Sequence, residues 1–584
     1  SLRSASHLGD GGYMPTSRFR PAAMRARFVL QFGLALERWR SFHADTGTQI
    51  AVAHALMGVP ALYLAIDAVV RWTNLPVPLA GQALLAGALY GALLCWRPLG
   101  TGPVSRRAVA VTAGLLAATW LAAAALYDTS WDGTGYHLPA LLAIAGGWNP
   151  IFAASDIMQA NLQANGLWTV RAALYAMTGS VEGAKGLNFL FVAAALLTLV
   201  PAWTELRGRP LTALELAFAY AAVGNPVALG QLFTFHVDGS VYESGMVLLG
   251  AVLLTCSAYR RAALGLIAAS IILITGAKLT GIYYGAVIPV IAALAAWKQG
   301  AATPRLAALV LGTLALGVVA IGFRPYVTNL RDYGHLVELG PGGDVGRPSA
   351  FGRLAPPVML AASLLSRTEL YPVPELKWPG TVTPRELISM GAPDPRVGGF
   401  GPFFALETMI ALLAAGAVTV TLRGRGIGDP AFVIALGLAA ITAIFPEPWW
   451  ARFAPFFWGV PIFLALGAGE RSALTRWGAV VVLALALVNG GIALAGNLAR
   501  TALGDYRMRA LLSDLAGQSA EILIVPFPYR GFQFTAAHRL TGARIAFRIG
   551  EPELPIGDSS PQCARVLRTD RIRYCLPAEA SGAN

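Results

Sequence analysis

The sequence alternates between long apolar stretches and short polar connections. A run of about 20 apolar residues can cross a hydrocarbon core of about 30 Å as a helix that satisfies its own backbone hydrogen bonds. The stretches that approach this length are centred on about 51–70, 77–96, 108–127, 186–204, 211–230, 240–258, 262–277, 279–297, 306–323, 403–422, 430–446, 454–468 and 477–496. The pattern predicts a polytopic α-helical membrane protein with about 13 transmembrane helices.

Composition supports the same class. Of the 584 residues, 56% are hydrophobic and 13% are charged, against about 25% charged in soluble domains. The net charge is +13, but basic residues in a membrane protein first report orientation. We therefore expect contact with membrane lipids and no nucleic-acid partner.

Basic residues recur at every second connection between the apolar stretches, as expected for cytoplasmic loops. They are Arg18, Arg20, Arg25, Arg27, Arg38 and Arg40, then Arg97, Arg106 and Arg107, Arg207 and Arg209, Arg260 and Arg261, Lys298 and Arg305, Arg423 and Arg425, and Arg471 and Arg476. This places the N-terminus in the cytoplasm and the alternate connections outside. The expected location is the cytoplasmic membrane of a bacterium.

Three regions follow from this topology: a basic cytoplasmic segment 1–49, a transmembrane region 50–499 and an extracytoplasmic C-terminal domain 500–584. Residues 1–13, ahead of Met14, read as an expression-tag remnant, and the first span is expected to act as an uncleaved signal. The C-terminal domain is predicted to be small and α/β, with strands Ile522–Val525 and Arg544–Phe547 and a helix near 532–540. Its extracytoplasmic position is compatible with a Cys563–Cys575 disulfide.

The long connections 128–185 and 324–402 lie on the extracytoplasmic side, so function is expected there. Two apolar stretches in the first, Leu138–Ala145 and Leu167–Met177, are too short or too interrupted to span a membrane. The second also contains Arg171. Both are predicted to be helices that lie along the membrane surface.

The segment Asp132-Gly-Thr-Gly-Tyr136-His137 begins this first loop. One interpretation is that Asp132 caps the helix that begins near Tyr136. The other is a carboxylate at the membrane surface that accepts a proton from a substrate hydroxyl or binds a metal ion.

A second polar cluster contains His236, Asp238 and Glu243 at the start of the sixth span. Carboxylates and a histidine at one membrane face are candidates for a site, although each is also compatible with a solvated helix end. Asp238 and Glu243 are five residues apart, so a regular helix does not place them on one face.

Two cations complete the candidate set. Lys278 lies in a short turn between two spans, where it either extends its amine to the interface or pairs with phosphate. Arg452 follows Trp449 and Trp450, which fit an interfacial aromatic belt. An arginine on the outer face opposes the charge bias, and a guanidinium suits phosphate binding.

These residues resemble a known family. Asp132-x-x-x-Tyr136, followed by the turn Gly146-x-Trp148-x-Pro150, resembles the first-loop signature of the GT-C superfamily of membrane glycosyltransferases, most of all the lipid A aminoarabinose transferases and protein O-mannosyltransferases. The segment Trp450-Ala-Arg452-Phe453-Ala-Pro455 is similar to a late element of that family. The sequence departs from the family at Gly133, where a second acidic residue is usual.

The resemblance implies a GT-C-like bundle and an inverting glycosyltransferase. It would transfer a sugar from a polyprenyl-phosphate donor to a lipid, glycan or protein acceptor. Asp132 would act as general base, with Asp238 as a second catalytic carboxylate. Substrate-binding roles would fall to the remaining candidates: Tyr136, His137, His236, Glu243, Lys278 and Arg452. The need for a divalent cation stays open at this stage; if Mg²⁺ or Mn²⁺ is used, Asp132 and Asp238 would hold it.

Three alternatives stay open at this stage. A transporter or flippase of lipid-linked saccharides would carry charges near the middle of its spans. An O-antigen ligase or polymerase would rely on arginines and a histidine in a large outer loop. A scaffold protein would display the C-terminal tail, but would not require Asp132, Asp238 and Arg452 on one face.

Overall fold

The computed structural model describes residues 45–96, 105–336, 351, 354–371, 373–421, 428–469, 471–517, 522–525, 530–549, 563–568 and 573–577. These residues are predominantly helical. Among them, seven helical segments are long and apolar enough to cross a membrane: Thr46–Thr73, Arg106–Ala124, Glu182–Arg207, Arg260–Ala277, Pro304–Ile321, Phe404–Thr421 and Ala473–Ala516. The chain is therefore an α-helical protein embedded in a membrane.

The helices of the first half are α1 Thr46–Thr73, α2 Leu79–Trp96, α3 Arg106–Ala124, α4 Leu138–Ala145, α5 Met158–Leu162, α6 Gly166–Thr178, α7 Gly186–Arg207, α8 Ala213–Val223, α9 Pro226–Leu229, α10 Asp238–Leu254, α11 Arg260–Ala277 and α12 Thr280–Ala295. Those of the second half are α13 Pro304–Leu316, α14 Thr328–Tyr333, α15 Pro356–Leu364, α16 Pro384–Met390, α17 Phe404–Thr421, α18 Pro430–Ala443, α19 Gly459–Ala468, α20 Ala473–Ala516 and α21 Arg530–Gly542.

Each of the 13 predicted apolar stretches contains helix. The stretch 211–230 is interrupted after Val223, because Asn225 caps a new turn that begins at Pro226. The stretch 454–468 begins with a 3₁₀ turn at Pro455–Trp458. The largest difference is α20, which has 44 residues and continues well beyond the predicted end at 496.

Helix α10 forms the centre of the packing. All 17 of its residues are buried, and its main neighbours are α7, α11 and α12. A helix that is apolar on every side is expected in the interior of a large membrane protein. Asp238, the first residue of α10, is therefore held at the end of a fully buried helix.

Helices α4 and α6 occupy the two short apolar stretches of the first loop, as predicted, but they are not surface helices with an apolar face turned outward. They pack against each other in one buried cluster that includes Leu138, Leu141 and Trp168. Arg171 of α6 is fully buried because it bonds to protein groups, as described below. These helices therefore act as internal supports for the segment that precedes them.

The C-terminal residues form a four-stranded sheet with strands β1 Ile522–Val525, β2 Phe547–Ile549, β3 Cys563–Arg568 and β4 Arg573–Pro577 in the order β2-β1-β4-β3. β1 is parallel to β2 and antiparallel to β4. The predicted strand at Ile522–Val525 and the predicted helix are confirmed, whereas the second strand begins at Phe547. In the register of the sheet Cys563 is opposite Pro577, and Cys575 is opposite Val566.

The end of α20 is continuous with this C-terminal part. Met508, Leu512 and Leu515 of α20 share a buried cluster with side chains of β1 and α21. The polar half of α20 therefore extends from the apolar helices to the sheet and fixes where α21 can lie.

Candidate functional site

The loop that carries Asp132 is shaped by Asp128. The two carboxylate oxygens of Asp128 accept hydrogen bonds from the backbone amides of Phe235 and Ser130, each at 2.7 Å. A Cβ at Gly133 would lie 2.0 Å from Asp128 Oδ2, so no residue larger than glycine fits there. The close approach of Asp128 to the backbone therefore requires glycine at position 133.

Asp132 precedes a π-helical turn, Gly133–His137. Such turns are rare in proteins, and those that occur are often found at functional sites. The side chain of Asp132 makes no helix-capping hydrogen bond, so the interpretation of this residue as a cap is wrong. Its Oδ2 instead accepts a hydrogen bond from the Tyr136 hydroxyl at 3.1 Å.

The strongest partner of Asp132 is Arg452. The Arg452 Nη1 atom lies 2.7 Å from Asp132 Oδ2, and the two side chains are 13% and 17% exposed, respectively. The Nε2 atom of His236 is 3.7 Å from the same oxygen. The acidic loop and the late arginine thus meet in one partly open cluster.

Arg452 is also held by a residue that the sequence analysis did not select, Asp394. Its Nη1 lies 3.5 Å from Asp394 Oδ2, and its guanidinium carbon is 4.4 Å from the centre of the Trp450 ring. Trp450 Nε1 donates to Asp394 Oδ1 at 2.7 Å. Trp450 therefore orients the arginine and its second carboxylate instead of serving only as an interfacial anchor.

Asp238 and Lys278 form a second ion pair in the same cluster. Lys278 Nζ donates to Asp238 Oδ1, while Asp238 Oδ2 accepts from the Gln231 amide at 3.1 Å. The Lys278 ammonium lies 3.9 Å from the centre of the Phe453 ring. Because Phe453 directly follows Arg452, the two cations lie on neighbouring parts of one site.

The segment that carries His236 is fixed by Arg171. The Arg171 guanidinium donates to the backbone carbonyls of Phe235 and His236 and to Asn188 Oδ1. Asn188 in turn donates to the carbonyls of Gln231 and Thr234 at 2.9 and 2.8 Å. A buried arginine is expected to have such partners. Arg171 thus holds the segment that carries His236 from outside the Asp132 cluster.

His137 supports the cluster from behind. It is buried, and its Nδ1 accepts a hydrogen bond from Trp168 Nε1 at 2.8 Å. Burial and the neighbouring His236 lower the pKa of His137 well below its ordinary value. A neutral ring with Nδ1 as acceptor carries its proton on Nε2.

The charges around Asp132 determine its protonation state. Burial alone would raise the pKa of Asp132, but the positive charge of Arg452, assisted by His236 and His137, brings that pKa below the ordinary value. Asp132 is therefore ionised while Arg452 is beside it.

Glu243 is not joined to this cluster. It lies on α10 and is buried, and neither of its carboxylate oxygens has a hydrogen-bond partner among the described residues. The cluster contains seven of the eight sequence candidates, with His137 in the supporting layer. The helix that starts at Asp238 is regular, so Glu243 faces away, as its spacing from Asp238 indicated.

The C-terminal helix α21 packs directly on the acidic loop. Thr535 Oγ1 donates to the Thr134 carbonyl at 2.8 Å, and the Phe532 and Trp131 rings meet edge to face at 5.0 Å. A Cβ at Gly531 would lie 1.6 Å from the Gly135 carbonyl oxygen. The approach of the two backbones thus depends on glycine at position 531.

Arg539 completes this contact. Its Nη2 donates to the Asp128 carbonyl at 2.5 Å and lies 3.5 Å from Glu182 Oε1. The residue is 6% exposed. Arg539 is therefore part of the support for the loop.

The carboxylates do not fit a divalent cation in this arrangement. Asp132 is bound to Arg452, and Asp238 is bound to Lys278. Within the described part of the chain, no group of three or more His, Cys, Asp and Glu residues is placed to hold a metal ion. We therefore derive no step through Mg²⁺ or Mn²⁺.

Gln231, Asp128 and Asp394 are the site residues that the sequence analysis missed. Asp394 lies in Gly391-Ala-Pro-Asp394-Pro-Arg396, inside the second long loop. A lone acid between prolines in a loop already assigned to the outer face was the available signal.

No protein-family model, curated protein or solved structure matches this chain.

Proposed function

We propose that the chain is an inverting glycosyltransferase that uses a polyprenyl-phosphate-linked sugar. In this proposal about 13 helices form a GT-C-like membrane bundle in a bacterial cytoplasmic membrane. The Asp132 cluster and the C-terminal domain face outward. The observation that carries the proposal is the meeting of Asp132, Asp238, Lys278 and Arg452, which come from four separate segments.

The chemistry requires a base and a stabilised leaving group. The acceptor hydroxyl would give its proton to the Asp132 carboxylate while its oxygen attacks the anomeric carbon. The bond from that carbon to the donor phosphate oxygen breaks, and the lipid phosphate leaves with the electron pair. Attack opposite the leaving group inverts the configuration.

Arg452 links these two requirements. Without substrate its guanidinium neutralises Asp132. A donor phosphate would compete for the same guanidinium, with Lys278 nearby as a second cation. Transfer of Arg452 from carboxylate to phosphate would raise the pKa of Asp132 and make it a stronger base when the donor is in place.

The position of the charges favours surface chemistry over transport. Asp132 and Lys278 lie just outside helices α3 and α11, and Asp238 is the first residue of α10. A transporter would be expected to have such pairs near the middle of its helices. A ligase that relies on arginines in an outer loop would not require Asp132 at the centre of the cluster.

The test is sugar transfer in membranes supplied with a panel of radiolabelled polyprenyl-phosphate sugars. Asp132→Asn should reduce transfer by about 10²- to 10⁴-fold, since the amide cannot accept the proton. Asp332→Asn is the matched control, because Asp332 is exposed and pairs with Arg331 away from the cluster. Wild-type transfer by a well-folded Asp132→Asn protein would refute the role of base.

A further inference from the structure

A cavity with polar and apolar lining residues lies away from the Asp132 cluster. It has a volume of about 610 Å³ and opens between the end of α1, the start of α2 and the turn that follows α4. A volume in this range is typical of ligand sites. Neither Asp132 nor Arg452 lines it. Helix α4, which starts just after the π-helical turn, ends at this cavity about 12 Å further along its axis.

Among the residues that the structure describes, two buried oxygen atoms of the lining accept no hydrogen bond. Asp67 and Gln82 are 5% and 2% exposed, and both line the cavity. Within the described part of the chain, Asp67 Oδ1 and Gln82 Oε1 accept no hydrogen bond. Buried acceptors without partners are unfavourable. An occupant that brings O–H or N–H donors would satisfy them.

The same lining offers donors. Arg71 is paired with Asp67 through Nε, but its Nη1 and Nη2 atoms make only long contacts, 3.4 Å to the Trp148 carbonyl and 3.5 Å to Thr169 Oγ1. These groups have capacity for a better-placed acceptor. Asn149 is fixed nearby because its side chain donates to the Arg71 carbonyl at 3.2 Å.

The charge of the lining selects the class of occupant. Its charged side chains are Asp67 and Arg71, which oppose each other. A phosphate would be attracted by Arg71 but repelled by the Asp67 carboxylate. An ammonium group would be repelled by the Arg71 guanidinium. An apolar chain would leave both acceptors unsatisfied. A hydroxyl group donates and accepts, so it matches both kinds of lining atom.

The rest of the lining is apolar and includes Trp148, Pro76, Pro78 and Leu79. These surfaces fit the C–H face of a pyranose ring, while Asp67, Gln82 and Arg71 fit its hydroxyl groups. We propose that this cavity binds a neutral saccharide. If the proposed transferase function holds, the saccharide would be part of the acceptor. Binding of a saccharide in the cavity does not depend on that function.

The saccharide has two potential sources: a free sugar, or the headgroup of a glycolipid. Leu75 lines the cavity and is 53% exposed, and Val77 beside it is also exposed. These side chains would contact the alkyl part of a glycolipid, so the experiment compares the two sources.

The test measures binding directly on the purified full chain in a zwitterionic detergent without a sugar headgroup. A trifluoromethyl label is attached to the cysteine introduced by Leu75→Cys. The four native cysteines are replaced by serine so that only this thiol reacts: Cys95, Cys256, Cys563 and Cys575. Fluorine NMR follows titration with hexyl glycosides of glucose, mannose and galactose, with the free sugars, with hexyl phosphate and with hexanol.

We expect a saturable shift with at least one hexyl glycoside and none with hexyl phosphate or hexanol. Gln82→Leu should weaken binding about tenfold, as loss of one hydrogen-bonded acceptor predicts. Gln299→Leu is the matched control, because Gln299 is exposed and does not line the cavity. Equal affinity for a free sugar would assign the site to soluble saccharides, and binding of the glycoside alone would assign it to lipid-borne ones.

The proposal is overturned if no glycoside shifts the signal, if hexyl phosphate or hexanol binds as well, or if Gln82→Leu leaves the affinity unchanged. The titration is repeated on Asp132→Asn, where binding should persist. Retained transfer by Asp132→Asn would refute the proposed catalytic role without affecting this result, so the two failures are distinguishable.

Discussion

The Asp132 carboxylate and the Arg452 guanidinium are 2.7 Å apart although 320 residues separate them in the chain. Each neutralises the other, so without substrate this cluster holds its acid and its cation as a pair. The contact gives a direct route from binding of an anion at Arg452 to the basicity of Asp132.

Removal of the Arg452 charge should change the pH dependence of transfer. The guanidinium lowers the pKa of Asp132 against the opposing effect of burial, so Arg452→Gln should raise that pKa. Because the base must be ionised, the acidic limb of the pH–rate profile should move to higher pH. The rate should also fall by about 10²- to 10³-fold, as for loss of one stabilising donor.

Arg452→Lys is the matched variant, since it keeps the charge but loses the fork that meets Asp132 and Asp394. Its acidic limb should stay near that of the wild type while its rate falls. An unchanged limb in Arg452→Gln would contradict the proposed coupling.

The Asp238–Lys278 pair should behave as a buried ion pair in unfolding experiments. Both side chains are at most 10% exposed. Lys278→Met should therefore lower the free energy of unfolding by about 3–5 kcal/mol, because it leaves a buried carboxylate without its cation. The double variant Lys278→Met/Asp238→Asn should recover part of that loss, as measured by a double-mutant cycle.

Arg331→Met provides the comparison for this cycle. Its pair with Asp332 is exposed, and such pairs contribute little, so we expect no measurable change. Equal stability of Lys278→Met and Arg331→Met would exclude a structural role for the buried pair.

Helix α21 should be required for transfer. Gly531→Ala would place a Cβ 1.6 Å from the Gly135 carbonyl oxygen and displace the helix from the acidic loop. Transfer should fall by about 10²-fold through misplacement of Asp132, and limited proteolysis should cut the C-terminal region faster. Gly542 lies at the other end of the same helix, and a Cβ there would meet no heavy atom within 4 Å, so Gly542→Ala should match the wild type. Similar behaviour of the two variants would argue against a role for the contact between α21 and the acidic loop.

The second long loop should lose local stability in acid. Burial would raise the pKa of Glu386, but Lys377 and the backbone amides of Thr368 and Thr383 lower it overall. A carboxylate whose pKa is lower when folded contributes stability above its unfolded pKa, and that stability is lost as pH falls. The protection factors for amide exchange in α16, which are corrected for the intrinsic pH dependence of exchange, should therefore fall below the ordinary glutamate value of 4.5.

Two variants isolate this effect. Glu386→Gln should remove the dependence of the protection factors on pH in that range. Glu375→Gln should keep it, because Glu375 is largely exposed although it pairs with Arg367 at 2.9 Å. Protection factors that do not change with pH in the wild type would show that Glu386 does not stabilise α16.

The helices were predictable because each needs only a local apolar run, and every predicted stretch contains helix. The second half of α20 was missed because its apolar residues Met508, Leu512 and Leu515 follow a helical spacing inside a polar segment. These residues pack on the sheet, so hydropathy does not separate them from the surface. The burial of α4 and α6 was missed for a similar reason, since a short apolar helix fits a protein interior as well as a membrane surface.

The site was predictable where the residue types are unusual for their location, as with Asp132, Asp238 and Arg452. Which carboxylate meets which cation was not, because that depends on how distant loops come together. Asp394 illustrates the limit: its role comes from Trp450 and Arg452, and its own surroundings in the sequence indicate only a turn. The contact between Gly135 and Gly531 was even less predictable from the sequence, because glycine has no side chain whose charge or polarity could indicate a partner.

The docking of α21 on residues 128–135 has a consequence for biosynthesis. The acidic loop is synthesised well before α21, the helix that packs on it. In a nascent chain the loop therefore lacks this support until residues 530–542 have been synthesised. A product truncated before residue 530 would lack the support even if it inserts normally.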